Sequence, residues 1–158
     1  MGLLSFGFGI CFGFYLRNTR IGDNIRNKLF VVQKLLKNHN ISQYKLTLVV
    51  RDDLNMGKGK IASQCSHASV LAYKNIKLLN PEVAEIWEAF GQTKIVLKTS
   101  SSKSLLELAT NAENEGLLTN IVCDAGRTEV VAGTKTVLAV GPGPKHVVDK
   151  VTGHLKLL

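Results

Sequence analysis

The chain has 158 residues, 45% of them hydrophobic and 20% charged, ordinary proportions for a globular protein with one proper core. Its net charge of +8 is unevenly divided, with +5 in residues 1–43 and only +3 in residues 44–158, so nucleic-acid binding has to rest on where individual lysines sit. Cys11, Cys65 and Cys123 are odd in number and widely spaced, which excludes a disulfide framework and points to a reducing compartment.

Residues 1–16 are apolar or small beyond the first methionine, with no charge. As a helix rising about 1.5 Å per residue they would reach roughly 22 Å, short of a hydrocarbon core of about 30 Å, a gap that snorkelling by Arg17 and local thinning can narrow. A cleaved secretory signal would need a basic start and a matrix transit peptide would be amphipathic and Arg-rich; neither pattern is present. A membrane anchor fits best, with a buried or unstructured apolar tail as the alternative. Arg17, Arg20, Arg26 and Lys28 follow the run, and the positive-inside tendency then predicts a cytosolic C-terminal domain. Residues 17–43 read as a polar, basic tether, with Ile25, Leu29, Val32 and Leu36 at helical spacing.

The domain proper is expected over residues 44–158. Lys45–Arg51 (KLTLVVR) predicts a buried strand, and the stretch from Gly59 to Leu79 a helix with Ile61, Cys65, Ala68 and Ala72 on its apolar side. Pro81 opens a second helix that ends by Gly91. Lys94–Lys98 predicts a strand, and Ser102 caps a helix stopped by Gly116. Asn120–Cys123 and Thr136–Val140 predict two further strands, and Lys145–Val151 a last helix. The alternation predicts an α/β fold: a single domain with a four-stranded mixed sheet flanked by helices, its strand order open.

The stretch MGKGKIASQCSHASV (56–70) carries the densest chemistry. It is no P-loop, because Lys60 is followed by Ile61 and no glycine stands at Asn55. Cys65 and His67 sit two apart on a helix, and His39, His146 and His154 complete no ligand pattern, so no metal site is predicted; C-x-x-C is absent too. Lys60, Gln64 and His67 are spaced i, i+4, i+7 and share one helix side, with Ala62, Ala68 and Ala72 expected opposite, against the sheet. Lys60 stands at a helix start, where the macrodipole disfavours a cation. It is either a solvated surface lysine or a cation that receives an anion or a developing oxyanion. DAGRT (124–128) follows a buried strand, where α/β domains place ligands; Asp124 is either a turn former or a group acting on a proton or water. Thr134 and Thr136 are expected on one strand face.

Taken together, VVRDDLNMGKGKIASQCSHA, GQTKIVLK, DAGRTEV, GTKTVLAVGPGP and DKVTGHLKLL, in this order, resemble the archaeal- and eukaryotic-type (type 2) peptidyl-tRNA hydrolases. The resemblance runs from Leu46 to Leu158 and implies metal- and cofactor-free hydrolysis of the ester joining a peptide to the 3′ ribose of tRNA. It implies Lys60, Asp124, Thr128 and Thr136 as the functional set, with His67 at the family's histidine position. Lys60 would hold a phosphate or the tetrahedral oxyanion, and Asp124 would orient or deprotonate water. As a base, Asp124 would work better with its pKa raised by burial. Thr128 and Thr136 would fix the water or ribose hydroxyls. Lys58, Gln64, Lys94, Lys98, Arg127 and Lys135 are the expected substrate contacts, mostly to the tRNA backbone. No Ser-His-Asp or Cys-His arrangement is visible, so direct water attack is expected. The apolar N-terminus resembles that of the mitochondrial and membrane-anchored eukaryotic members; with the basic residues after it, the expected location is a cytosol-facing membrane, the mitochondrial outer membrane among them, and otherwise the cytoplasm. The alternative class is a membrane-tethered signalling protein, related to cell death, acting through partners.

Overall fold

The computed structural model describes residues 43–126 and 130–158. The expected anchor and tether lie outside the described residues, as do Arg127 and Thr128. Every element below lies in the compact unit Ser42–Leu158.

Strand β1 (Tyr44–Arg51) is dense in β-branched and apolar residues and is buried along its interior. A short 3₁₀ turn, Asp52–Leu54, follows it, and helix α1 runs from Lys58 to Leu79. Helix α2 (Pro81–Ala89) starts with proline at its first turn, and the Asn80 side chain accepts from the Val83 N–H at 3.3 Å. Strand β2 is Lys94–Thr99. Helix α3 (Ser102–Asn114) is capped by Ser101, whose hydroxyl accepts from the Ser104 N–H at 3.1 Å; the cap falls one residue earlier than expected. Strands β3 (Thr119–Cys123) and β4 (Lys135–Pro144) and helix α4 (Lys145–Thr152) complete the domain. Strand β4 continues past the expected end at Val140 because Gly143 and Pro144 still pair with Lys45 and Tyr44 of β1.

The sheet is mixed, with order β2-β1-β4-β3. β1 pairs with β2 in parallel, and β4 is antiparallel to both β1 and β3. The carboxyl ends of β1, β2 and β3 therefore share one edge of the domain, together with the start of β4 and the loop into α1. Both faces are covered. Leu46, Leu48, Val50, Val137 and Ala139 pack with Ala68 and Ala72 of α1 and Trp87 of α2. Val49, Leu138 and Val140 pack with Leu105, Leu108 and Ala112 of α3 and with Val148 and Val151 of α4. Alternation along β1 and β4 supplies both cores at once.

Two local departures position the site. In α1 the buried stripe is Gln64, Ala68, Ala72 and Ile76, at strict i+4 spacing. Ala62 is exposed, so the side bearing Lys60 and Gln64 runs into the core instead of lying opposite it. In β4 the register with β3 shifts between Val122, opposite Val137, and Cys123, opposite Lys135, leaving Thr136 as an extra residue. Strict alternation from Leu138 and Val140 would turn Thr136 toward α3 and α4. The bulge turns it toward α1 instead.

Candidate active site

Lys60 sits in the first turn of α1, reached through a loop that Met56 pins by burying its side chain in the core beneath α1 and α2. Its ammonium pairs with the Asp124 carboxylate. Both side chains are largely withdrawn from solvent, 11% and 3% exposed. The pairing accounts for a cation at a helix start: the carboxylate offsets the unfavourable end of the dipole.

Asp124 directly follows β3 and is held at four points besides Lys60. Its N–H donates to Thr134 O at 2.9 Å and its carbonyl accepts from Gly133 N–H at 2.8 Å. Its Oδ1 accepts from the Gly126 N–H at 2.7 Å, and its Oδ2 from Gln64 Nε2 at 2.9 Å. Gly126 has φ +74°, and a Cβ there would lie 2.6 Å from the Cβ of Ala132, so the tight turn requires glycine twice over. A carboxylate only accepts, so it fixes the Gln64 amide with its NH₂ toward Asp124 and its oxygen away. That oxygen receives the Thr136 hydroxyl at 2.6 Å, with Val122 O a second acceptor at 3.2 Å. Lys60, Asp124, Gln64 and Thr136 thus form one continuous network from the cleft into the core.

The Asp124 carboxyl is held below the usual carboxylate range. The Lys60 hydrogen bond does most of this, followed by the Gly126 N–H; burial pulls the other way, and the charges of Lys60 and His67 add to the lowering. The raised pKa that would suit a base is therefore not met: the Lys60 and Gly126 donors outweigh desolvation. The group is an ionised acceptor at neutral pH, suited to holding and orienting water more than to storing a proton.

A cleft of about 490 Å³ opens over this pair, lined by Lys60, Ser63, Gln64, His67, Val122, Cys123, Asp124 and Ala125. His67 is exposed at its rim. Gln64 reaches the cleft wall although only 5% exposed, whereas Thr136 is fully buried and meets the site through its hydrogen bond to Gln64. Ser63 and Cys123 are cleft residues that sequence reasoning missed. Ser63 is one turn after Lys60 and Cys123 adjoins Asp124, but neither spacing marks them. Burial pushes the Cys65 thiol up, away from nucleophilic use. Among the described residues no group of three or more His, Cys, Asp or Glu is arranged to hold a metal.

The expected tRNA contacts separate by place. Lys58 is exposed beside Lys60, Lys135 starts β4, and Lys98, near the carboxyl end of β2, pairs with Asp52 at 3.3 Å; all belong to the site's edge of the sheet. Lys94 does not. It starts β2 at the opposite edge, its ammonium lies 4.6 Å from the Trp87 ring centroid, and it donates to Gln92 O. The parallel pairing of β1 with β2 puts the two ends of KIVLK at opposite poles, which composition could not disclose. Arg127 and Thr128 lie outside the described residues.

An α/β domain with a lysine–aspartate pair withdrawn from solvent beside a cleft, at the carboxyl ends of its strands, has the layout of a candidate active centre. Residues 44–158 match the family profile described as peptidyl-tRNA hydrolase PTH2, and the chain belongs to that family. It is 55% identical over 115 residues to "Peptidyl-tRNA hydrolase 2, mitochondrial" of Bos taurus and 53% identical to the Homo sapiens protein of that name, covering 73% of this chain and 64% of each relative. It is 44% identical to "Peptidyl-tRNA hydrolase" of Methanocaldococcus jannaschii, covering 72% of this chain and 99% of that one. The matched region thus spans just under two thirds of the mammalian relatives and nearly the whole archaeal one.

Proposed function

We propose that this protein hydrolyses the ester between peptide and tRNA in peptidyl-tRNA, releasing tRNA for reuse. The observation that carries the reading is the buried Lys60–Asp124 pair, braced by Gln64 and Thr136, in a domain of the PTH2 family. Asp124 accepts a hydrogen bond from the attacking water and aims its oxygen at the ester carbonyl carbon. The tetrahedral oxyanion that forms is stabilised by the Lys60 ammonium, which has three donors to distribute. The C–O bond to the ribose then breaks, the proton given up by the water passes by way of the Asp124 carboxylate to the departing ribose oxygen, and a peptide acid and free tRNA result. Lys58, Lys98 and Lys135 meet phosphates around the cleft. His67 at the rim offers a ring N–H donor to the same substrate. The chemistry needs no covalent intermediate and no cofactor.

No described helix is long and apolar enough to cross a membrane, and residues 1–16 lie outside the described residues. From the apolar run, the basic residues after it and the mitochondrial relatives, the reading extends to a tether: residues 1–16 hold the domain at a mitochondrial membrane, facing the cytosol. The signalling alternative draws no support from the family or from the relatives' names.

The direct test is release of tRNA from N-acetylated peptidyl-tRNA by the purified chain, with turnover at catalytic enzyme concentrations expected. A folded protein with no turnover would overturn the activity. Fractionation of cells expressing the full chain and residues 44–158 alone tests the tether; both in the soluble fraction would remove it.

A further inference from the structure

The two outer edges of the sheet are treated differently. The edge of β2 is covered by the chain's own C-terminus: Lys98 N–H donates to Lys156 O at 3.0 Å and Leu158 N–H to Val96 O at 3.3 Å. Among the described residues the edge of β3 has no such cover. Across to β4, Leu118 O accepts from Gly141 N–H and the Asp124 N–H donates to Thr134 O. Antiparallel alternation then turns the main-chain groups of Asn120 and Val122 to β4 as well, and those of Thr119, Ile121 and Cys123 outward. Among the described residues no hydrogen bond reaches these outward N–H and C=O groups.

An open strand edge is a template for another extended chain, and proteins ordinarily blunt such edges. This one runs straight into Asp124. It also has a wall. The Asn75 side chain of α1 donates to Asn120 Oδ1 of β3, so the α1 side bearing Asn75 borders the strand. One turn back on that side is Leu71, 36% exposed, and one more turn back is His67, in the cleft. The edge and this strip make a track leading away from the catalytic pair.

Resting on the hydrolase reading above, we propose that the open edge of β3 binds the peptide part of the substrate as an added strand. The peptide is esterified through its C-terminal carbonyl. Placing that carbonyl at Lys60 and Asp124 sets the peptide's C-terminus at the C-terminal end of β3, so the peptide runs parallel to β3. Five residues of strand span roughly 13 Å, enough for about four peptide residues. Pairing through main-chain groups is indifferent to side chains, as an enzyme that clears peptides of any sequence requires.

The test uses the full chain and N-acetylated peptidyl-tRNAs of one to eight residues. The expected kcat/KM rises through about four residues, roughly tenfold in all, and is flat thereafter, a few net hydrogen bonds being involved. N-methylation of alternate peptide residues in a tetrapeptide substrate should remove that gain, and N-methylation of the intervening ones should not. Ile121→Pro deletes one outward donor without touching the β3–β4 ladder, since proline is tolerated where its nitrogen faces away from the partner strand. It should flatten the length dependence and spare the one-residue substrate, whereas Ile121→Ala should keep the dependence. Cleavage of all lengths alike, or equal tolerance of every N-methylation by the unaltered protein, overturns this inference alone. A dimer in light scattering that Ile121→Pro dissolves, without length dependence, assigns the edge to a second copy and overturns it too. No cleavage of any peptidyl-tRNA overturns the hydrolase reading and this inference together.

Discussion

Thr136 is fully buried, and its single hydroxyl proton has Gln64 Oε1 at 2.6 Å and Val122 O at 3.2 Å. Thr136→Val keeps the shape of the side chain and deletes the donor. The Gln64 oxygen is then buried without a partner, which costs about 1–3 kcal/mol. In a domain of this size that lowers the melting temperature by roughly 4–12 °C. The Gln64 amide also loses the anchor that aims it at Asp124, and misplacement of a positioning group lowers kcat by on the order of 10–100-fold. Thr136→Ser should keep most of both. The decisive measurement is a double-mutant cycle with Gln64→Met, read by urea denaturation and by kcat. In the Gln64→Met background no amide oxygen needs a donor, so the same Thr136→Val change should cost little stability and little further activity. A coupling of at least about 1 kcal/mol is expected. If Thr136→Val costs the same in both backgrounds, the hydroxyl does not work through Gln64, and the network drawn above is wrong.

Asp124→Asn should fold yet lose on the order of 10²-fold or more in turnover, and near-normal kcat would remove the carboxylate from the chemistry. Its depressed pKa carries a sign: the carboxylate contributes stability above the unfolded value near 3.8, and that contribution is lost as pH falls through the lower folded value. The stability gap between Asp124→Asn and the unaltered protein should therefore be constant from pH 5 to 7 and close only under acid; a gap that closes between pH 5 and 7 would mean a raised pKa. Lys60→Ala should reduce kcat by roughly 10²–10³, the scale of losing an oxyanion donor. Lys58→Ala should change mainly KM and lower the salt slope of tRNA binding by about one. Equal, KM-only effects of the two would make the basic stretch a docking patch. Gly126→Ala forces a Cβ against Ala132 in a left-handed turn and should uncouple the Asp124 carboxylate from its N–H donor, with kcat falling at least about tenfold while urea denaturation stays cooperative; unchanged kcat would show that the turn does not hold Asp124.

Strands, helices and the mixed sheet were legible because they follow from local physics: β-branched runs such as KLTLVVR, proline at the start of α2, serine at the start of α3, and apolar spacing along α1. Residue type and order also marked Lys60 and Asp124, 64 positions apart, as a pair worth joining. Their contact was not legible, because it depends on strand order: the order β2-β1-β4-β3 brings the end of β3 to the start of α1. Three features were not legible for the same kind of reason. Lys94 and Lys98 look alike in KIVLK, but the direction of β2 sends one to the site and the other to Trp87. Thr136 should face away from α1 by alternation, and one extra residue in β4 reverses it. Asp124 is buried, which by itself would raise its pKa, yet the Lys60 hydrogen bond and the Gly126 N–H lower it instead. A period can be read along a chain. The register between strands, and the balance between desolvation and hydrogen bonding at one carboxylate, are set by residues far apart in sequence that only the packed domain brings together.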